Sequence, residues 1–287
     1  MQMLGESLAI LTAILWAVST VLSAEVLKKI DPIRSNVIRT LFSAVLSIPI
    51  AIITEDLNSL FNIDLNALIL VILAAIIGFG VGDTLLFKSI TIIGVSRAYT
   101  IVYTSPFFTM ILAVALLNEP FIIRYLAGTI LIVLAVIVIS IDDNDDAGRG
   151  IISLEGIMLA LLASLCWAVG TILVAMGVKN ISVYLANMIR YSILFLFLLL
   201  ISKPMRKWNI TKKNLMLLSA SGATGMVIAG ITFLLSLKFI GASRATPLSS
   251  SSPVWASIMS AVFLKEKVTP RLLLSAIIVT VGTYFLI

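Results

Sequence analysis

Two stretches of the chain, residues 94–124 and 241–271, are copies of one another. At a constant shift of 147 residues, ten of the 31 aligned positions are identical. They include Gly94/Gly241, Ser96-Arg97-Ala98/Ser243-Arg244-Ala245, Ser105-Pro106/Ser252-Pro253, Glu119/Glu266 and Arg124/Arg271. At a shift of 151, residues 16–39 match 167–190 at eleven of 24 positions, among them Trp16-Ala17-Val18/Trp167-Ala168-Val169, Lys28/Lys179, Asn36/Asn187 and Arg39/Arg190. Self-similarity at this period makes the chain two copies of one unit. The fall in shift places four extra residues in the first copy, where the loop 54–66 corresponds to the shorter 205–213.

Each copy is too apolar for water. The 287 residues are 60% hydrophobic and 12% charged, with a mean hydropathy of +1.16, against roughly 25% charged in soluble domains. Ten apolar spans are expected near 7–27, 33–53, 66–90, 97–117, 122–141, 154–178, 183–202, 215–238, 244–264 and 270–287. These lengths cross a ~30 Å hydrocarbon core as helices, and they are too continuously apolar for barrel strands. The first span could be mistaken for a cleaved signal, with Val21-Leu22-Ser23-Ala24 as its cleavage site. However, it carries Glu6 where a basic region is expected, and it is half of a repeat, so it reads as retained structure.

The expected fold is therefore an all-α integral membrane protein of ten transmembrane helices in two repeats, 1–141 and 153–287, joined by an acidic linker, 142–152. Five is an odd number of crossings, so the second repeat is inverted relative to the first. Of the 20 Lys and Arg, setting aside Arg39 and Arg190 within spans, fourteen fall on one face and four on the other. That bias makes the richer face cytoplasmic and puts both termini on the extracytoplasmic side of a multi-pass cell-membrane protein.

The doubled five-helix layout, the GxSRA…SP…Glu pattern in both halves and the Trp–Ala–Val repeat together resemble the drug/metabolite transporter superfamily, specifically its EamA-type members. The resemblance covers essentially the whole chain. It implies a ten-helix carrier of small metabolites with a central cavity between two inverted repeats.

Ionisable groups inside hydrocarbon need partners or water. Arg39, Asp83 and Arg190 qualify, with Glu25 and Lys88 near helix ends. Arg39 and Asp83 lie at similar depths and are expected to form an ion pair, structural or coupled to protons. Gly230 stands where the second repeat would carry the acid. Arg190 therefore reads either as a snorkelling side chain or as a carboxylate clamp, while Asp83 could serve a proton or an amine. Tyr99, Tyr103 and Pro106 share one face of span four, and Thr246, Ser250 and Pro253 share the matching face of span nine. Both prolines should kink their helices, so these faces line either a wet cavity or a tight helix contact. Trp16 and Trp167 flank the cavity or pack apolar neighbours. Glu119 and Glu266 read as helix-end caps, and Cys166 as a small core residue.

No histidine and a single cysteine exclude His catalysis and internal disulfides. No cofactor and no metal site are expected. The run Asp142-Asp143-Asn144-Asp145-Asp146 matches a DDxxD metal-binding pattern, but lacks the second acidic cluster such chemistry needs, and reads as a solvated linker. Scattered basic residues argue against nucleic acid. The expected function is a secondary transporter, exporter or exchanger, of small metabolites such as amino acids or related amphiphiles. Its partners are the lipid bilayer, a small-molecule substrate and a proton or counter-substrate, and it works as a monomer or homodimer. The alternative is a membrane-embedded lipid or isoprenoid enzyme using the DDNDD loop.

Overall fold

The computed structural model describes residues 1–27, 30–55, 63–140, 153–202, 210–263 and 268–287. The acidic linker 142–152 and Glu266 lie outside them, as does Ile141 at the end of the first repeat. Among the described residues the chain is helical: α1 Gln2–Leu27, α2 Pro32–Thr54, α3 Leu65–Ile93, α4 in two pieces, Val95–Val102 and Ser105–Leu117, and α5 Ile123–Ser140. The second repeat supplies α6 Leu154–Gly177, α7 Val183–Ile201, α8 Lys212–Ile240, α9 as Ala242–Ser249 and Ser252–Phe263, and α10 Pro270–Leu286. Eight helices are long and apolar enough to cross a membrane, and α10 is a shorter apolar one.

Polar side chains begin the helices where the chain leaves water. Asp31, Asp64, Ser153, Ser182, Thr211 and Thr269 each accept a hydrogen bond from a backbone N–H of the following turn. Such caps satisfy donors that lipid cannot.

Packing follows the repeat, exchanged between halves. α1 lies along α8 and α9, and α6 lies along α3 and α4. α2 packs on α7, and α5 on α10. Helix ends fix the directions. Gly5, at the start of α1, abuts Ile240 at the end of α8; Gly156, at the start of α6, abuts Ile93 at the end of α3. Glu119, at the end of α4, binds the start of α9. The start of α1 and the start of α6 therefore lie at opposite ends of the bundle, which is the inversion expected from five helices.

α3 and α8 each contain a wide π-helical turn, Ala75–Val81 and Ala223–Ile228, at matching positions of the two repeats. Periodicity alone did not suggest them. They coincide with close helix crossings. A Cβ on Gly170 of α6 would stand 2.7 Å from the Cα of Gly78 in α3. In the other half Ser19 of α1 lies against Gly225 of α8. Small residues let backbones approach where lipid provides no hydrophobic drive between helices.

Gly170→Val should force α6 and α3 apart and lower unfolding stability by about 1–3 kcal/mol. Leu200→Ala, on a lipid-facing side chain that is 85% exposed, should change it by less than about 0.5 kcal/mol. Denaturation of both variants in the same detergent checks this.

Candidate functional site

The helices enclose a cavity of ≈ 870 Å³. Trp16, Arg39, Asp83, Tyr99, Tyr103, Trp167, Arg190, Thr246 and Ser250, all expected from the sequence to form the site, line it. Pro106 and Pro253 do not; each sits in the first turn of the second piece of its broken helix. α4 is interrupted at Tyr103 and Thr104, and α9 at Ser250 and Ser251. There serine and threonine hydroxyls turn back onto main-chain carbonyls: Thr104 Oγ1 donates to Ile101 O, Ser250 Oγ to Thr246 O and Ser251 Oγ to Leu248 O, at 2.7–2.8 Å. The Ser250 hydroxyl is thereby committed to its own helix.

The expected Arg39–Asp83 ion pair is not formed. Arg39 Nη1 donates to Asn36 Oδ1 at 3.0 Å, one helical turn back, and Nη2 to Ser19 Oγ at 3.2 Å. Asp83 Oδ1 accepts from Trp167 Nε1 at 2.9 Å. The two charges stay within electrostatic reach across the cavity, but each has taken a neutral partner. The equivalent tryptophan, Trp16, donates instead to the backbone O of Gly225, in the π turn of α8, at 3.0 Å. A carboxylate in one repeat and a main-chain carbonyl in the other thus hold the same indole in the same role. Aromatic rings make up much of the wall: Trp16 against Phe233 at 5.4 Å, and Tyr103 edge-on to Trp167 at 6.3 Å.

Several lining residues were not anticipated. Phe79 and Tyr191 present ring faces to the Arg190 guanidinium, 5.1 and 5.7 Å from its Cζ. Asn36 was visible only as a repeat identity with Asn187. Phe79 had no sequence signal beyond glycines on both sides.

One end of the cavity is open and the other is sealed. Lining residues continue to the helix ends at Leu27, Asp31, Lys88 and Val95. At the opposite end the lining stops at Phe233 and Thr246, and polar bonds close the bundle beyond them. The Glu119 carboxylate accepts from Ala242 N at 2.7 Å, from Ser243 N at 3.0 Å and from Ser243 Oγ. Gly241 makes this possible: its φ is +79°, and a Cβ there would collide with the Glu119 carboxylate. Arg244, one residue further along, is buried in a salt bridge with Glu6 of α1, and its Nε donates to Leu286 O of α10 at 2.7 Å. Its cation also lies 5.0 Å from the Tyr125 ring centroid. Glu119 is a helix cap, as its position suggested, but for a helix of the other repeat.

Trp167→Phe keeps the ring and removes the donor to a carboxylate, so it should cost about 1.5–3 kcal/mol; Trp16→Phe removes a donor to a neutral carbonyl and should cost about 0.5–1.5 kcal/mol. Equal losses in chemical denaturation would show that the Asp83 bond is no stronger than the other.

Among the described residues, no group of three or more Cys, Asp and Glu side chains could hold a metal, and the DDNDD run lies outside them. The chain is similar along its length to known proteins. It is 25% identical over 285 residues to an uncharacterized transporter of Archaeoglobus fulgidus, covering 99% of this chain and 98% of that one. A crystal structure at 15% identity superposes with a TM-score of 0.80 over 98% of this chain and 95% of the other, a likeness of fold. The sequence model of the EamA-like transporter family matches residues 3–141 and 154–287, one match on each repeat. The chain belongs to the EamA-like transporter family.

Proposed function

We propose that this transporter is a secondary carrier of small metabolites, amino acids or related amphiphiles, working by alternating access. One observation carries the reading: a polar-floored, aromatic-walled cavity at the interface of inverted repeats is open at one end and bonded shut at the other. Inverted repeats supply the second state directly, because each half can adopt the packing now held by its counterpart. The Glu119 clamp has a counterpart in sequence. Glu266 is the sequence equivalent of Glu119, and Gly94, with φ +84°, begins α4 with the backbone conformation of Gly241. In the mirrored state Glu266 caps α4 and Glu119 releases α9. The open end faces the loops richer in Lys and Arg, so the cavity described here faces the cytoplasm, and both termini lie outside.

Flux of labelled amino acids and related amphiphiles into proteoliposomes tests the transport reading. Absence of protein-dependent flux across that panel would sink it. Glu119→Ala removes charge-assisted acceptors worth about 1.5–3 kcal/mol each, and each ~1.4 kcal/mol is tenfold in an equilibrium. In a Cys166→Ser background carrying Thr246→Cys, Glu119→Ala should raise labelling by a membrane-impermeant thiol reagent from the sealed side at least tenfold, and Glu266→Ala should lower it. No change with Glu119→Ala would show that the clamp does not hold the gate. For orientation, a reporter fused after Ile287 should be active only if it functions outside the cytoplasm; activity of a cytoplasm-only reporter would reverse the assignment.

A further inference from the structure

We infer that Arg190 holds the anionic group of the carried molecule, a carboxylate on a small and largely apolar body. The inference rests on the transport reading above and comes from comparing the two repeats at one position. Arg39 and Arg190 are equivalent, and Arg39 donates through Nη1 to Asn36 and through Nη2 to Ser19 of its own repeat, leaving its Nε without an acceptor, with Asp83 in electrostatic reach. Every one of these partners is lost around Arg190. Gly170 stands at the place of Ser19, and Gly230 at the place of Asp83. Asn187 keeps the identity of Asn36 but turns its amide toward the main-chain carbonyls of Met226 and Val227, 3.4 and 3.5 Å away. It fills the room a side chain at 230 would need, since a Cβ on Gly230 would strike its Oδ1.

Arg190 is left 4% exposed, with Nε and Nη1 making no hydrogen bond. Phe79 and Tyr191 cover the guanidinium with ring faces, which can offset part of the cost of burying a cation but accept no N–H. Two of its nitrogens still lack acceptors, and the planar fork of a guanidinium matches the two oxygens of a carboxylate. A cation buried in this way without an acceptor is costly, so the repeat has given up its internal acid for an external one.

Charge count sets the valence. The deep part of the cavity carries Arg39, Arg190 and Asp83; Asp31 and Lys88 offset each other near the mouth. With Asp83 ionised, two cations and one carboxylate are balanced by one further negative charge, which suits a monocarboxylate. The aromatic walls suit an apolar remainder.

Three probes with one ring separate the chemistry: 3-phenylpropanoate, phenylalanine and 2-phenylethylamine, each added to purified full-length protein with the melting temperature as readout. Both carboxylates should raise the melting temperature and the amine should not. Arg190→Gln should weaken carboxylate binding at least tenfold, and Arg190→Lys, a charge without the fork, should fall between. Without ligand, Arg190→Gln should melt no lower than wild type, because an unpaired buried cation has been removed; a purely structural arginine would show a lower melting point. Phenylalanine binding no tighter than 3-phenylpropanoate assigns the site to simple carboxylates. Tighter binding that is lost in Asp83→Asn assigns it to zwitterions, with the ammonium on Asp83. Equal binding of the amine, no response to either carboxylate, or unchanged affinity in Arg190→Gln overturns the inference. Carboxylate binding without flux in proteoliposomes would instead remove the transport reading and leave the site standing.

Discussion

Two close crossings hold this fold together: α6 on α3 at Gly170 and Gly78, and α1 on α8 at Ser19 and Gly225. Each joins the first helix of one repeat to the third helix of the other, so neither repeat is a free-standing half. In lipid, apolar side chains gain little by leaving one hydrocarbon for another, and close approach of backbones must supply the contact. The π turns lie in the crossings, where they shift α3 and α8 out of simple helical register. The same segments face the cavity at Gly78, Phe79, Gly225 and Met226. Structural contact and binding site thus share one segment in each repeat, and a change in either crossing reshapes the cavity floor.

The ends of the cavity obey a different constraint. A helix N-terminus inside the bundle leaves backbone N–H groups that need acceptors. α4 and α9 begin at Gly94 and Gly241, both with positive φ, and their first backbone N–H groups need acceptors when buried. For α9 the acceptor is Glu119. The end of α4 thus caps the start of α9, its counterpart in the other repeat. In both broken helices the piece that begins at the glycine also reaches the cavity, at Val95 and Tyr99 in α4 and at Thr246 in α9.

Much of this was legible in the chain. The spans, the odd helix number and the inversion followed from repeat shifts and apolar length, because lipid leaves few alternatives to a helix. Tyr99, Tyr103, Trp16, Trp167 and the two arginines of the cavity were legible as well, since polar and aromatic groups stand out against an apolar background; Tyr191 was not. What failed was pairing. Depth along a helix placed Arg39 beside Asp83 but said nothing of rotation, and near neighbours, Asn36 one turn away and Trp167 across the crossing, took the hydrogen bonds first. The π turns were also hidden, because a single extra residue per turn leaves hydropathy unchanged. Glu119 was read as a cap, yet its partner in the other repeat depends on tertiary packing that no local pattern encodes.

The repeats agree where the scaffold must be symmetric and differ where the cargo must be recognised. Trp16 and Trp167 occupy matching places, each with its indole nitrogen satisfied, and Gly94 and Gly241 share a backbone conformation. Asp83/Gly230, Ser19/Gly170 and Tyr99/Thr246 differ, and all three differences touch the cavity or its arginines. Alternating access requires the two end states to be close in energy, which favours keeping the gates alike. A substrate, by contrast, is rarely symmetric, and a cavity with identical halves would hold it in two opposed poses with equal affinity. Loss of the acid from one repeat breaks that degeneracy at the cost of one unpaired cation. The symmetry breaks around Arg190 rather than at it, and with the carboxylate on Arg190 that asymmetry would set the direction in which the carried molecule lies in the cavity.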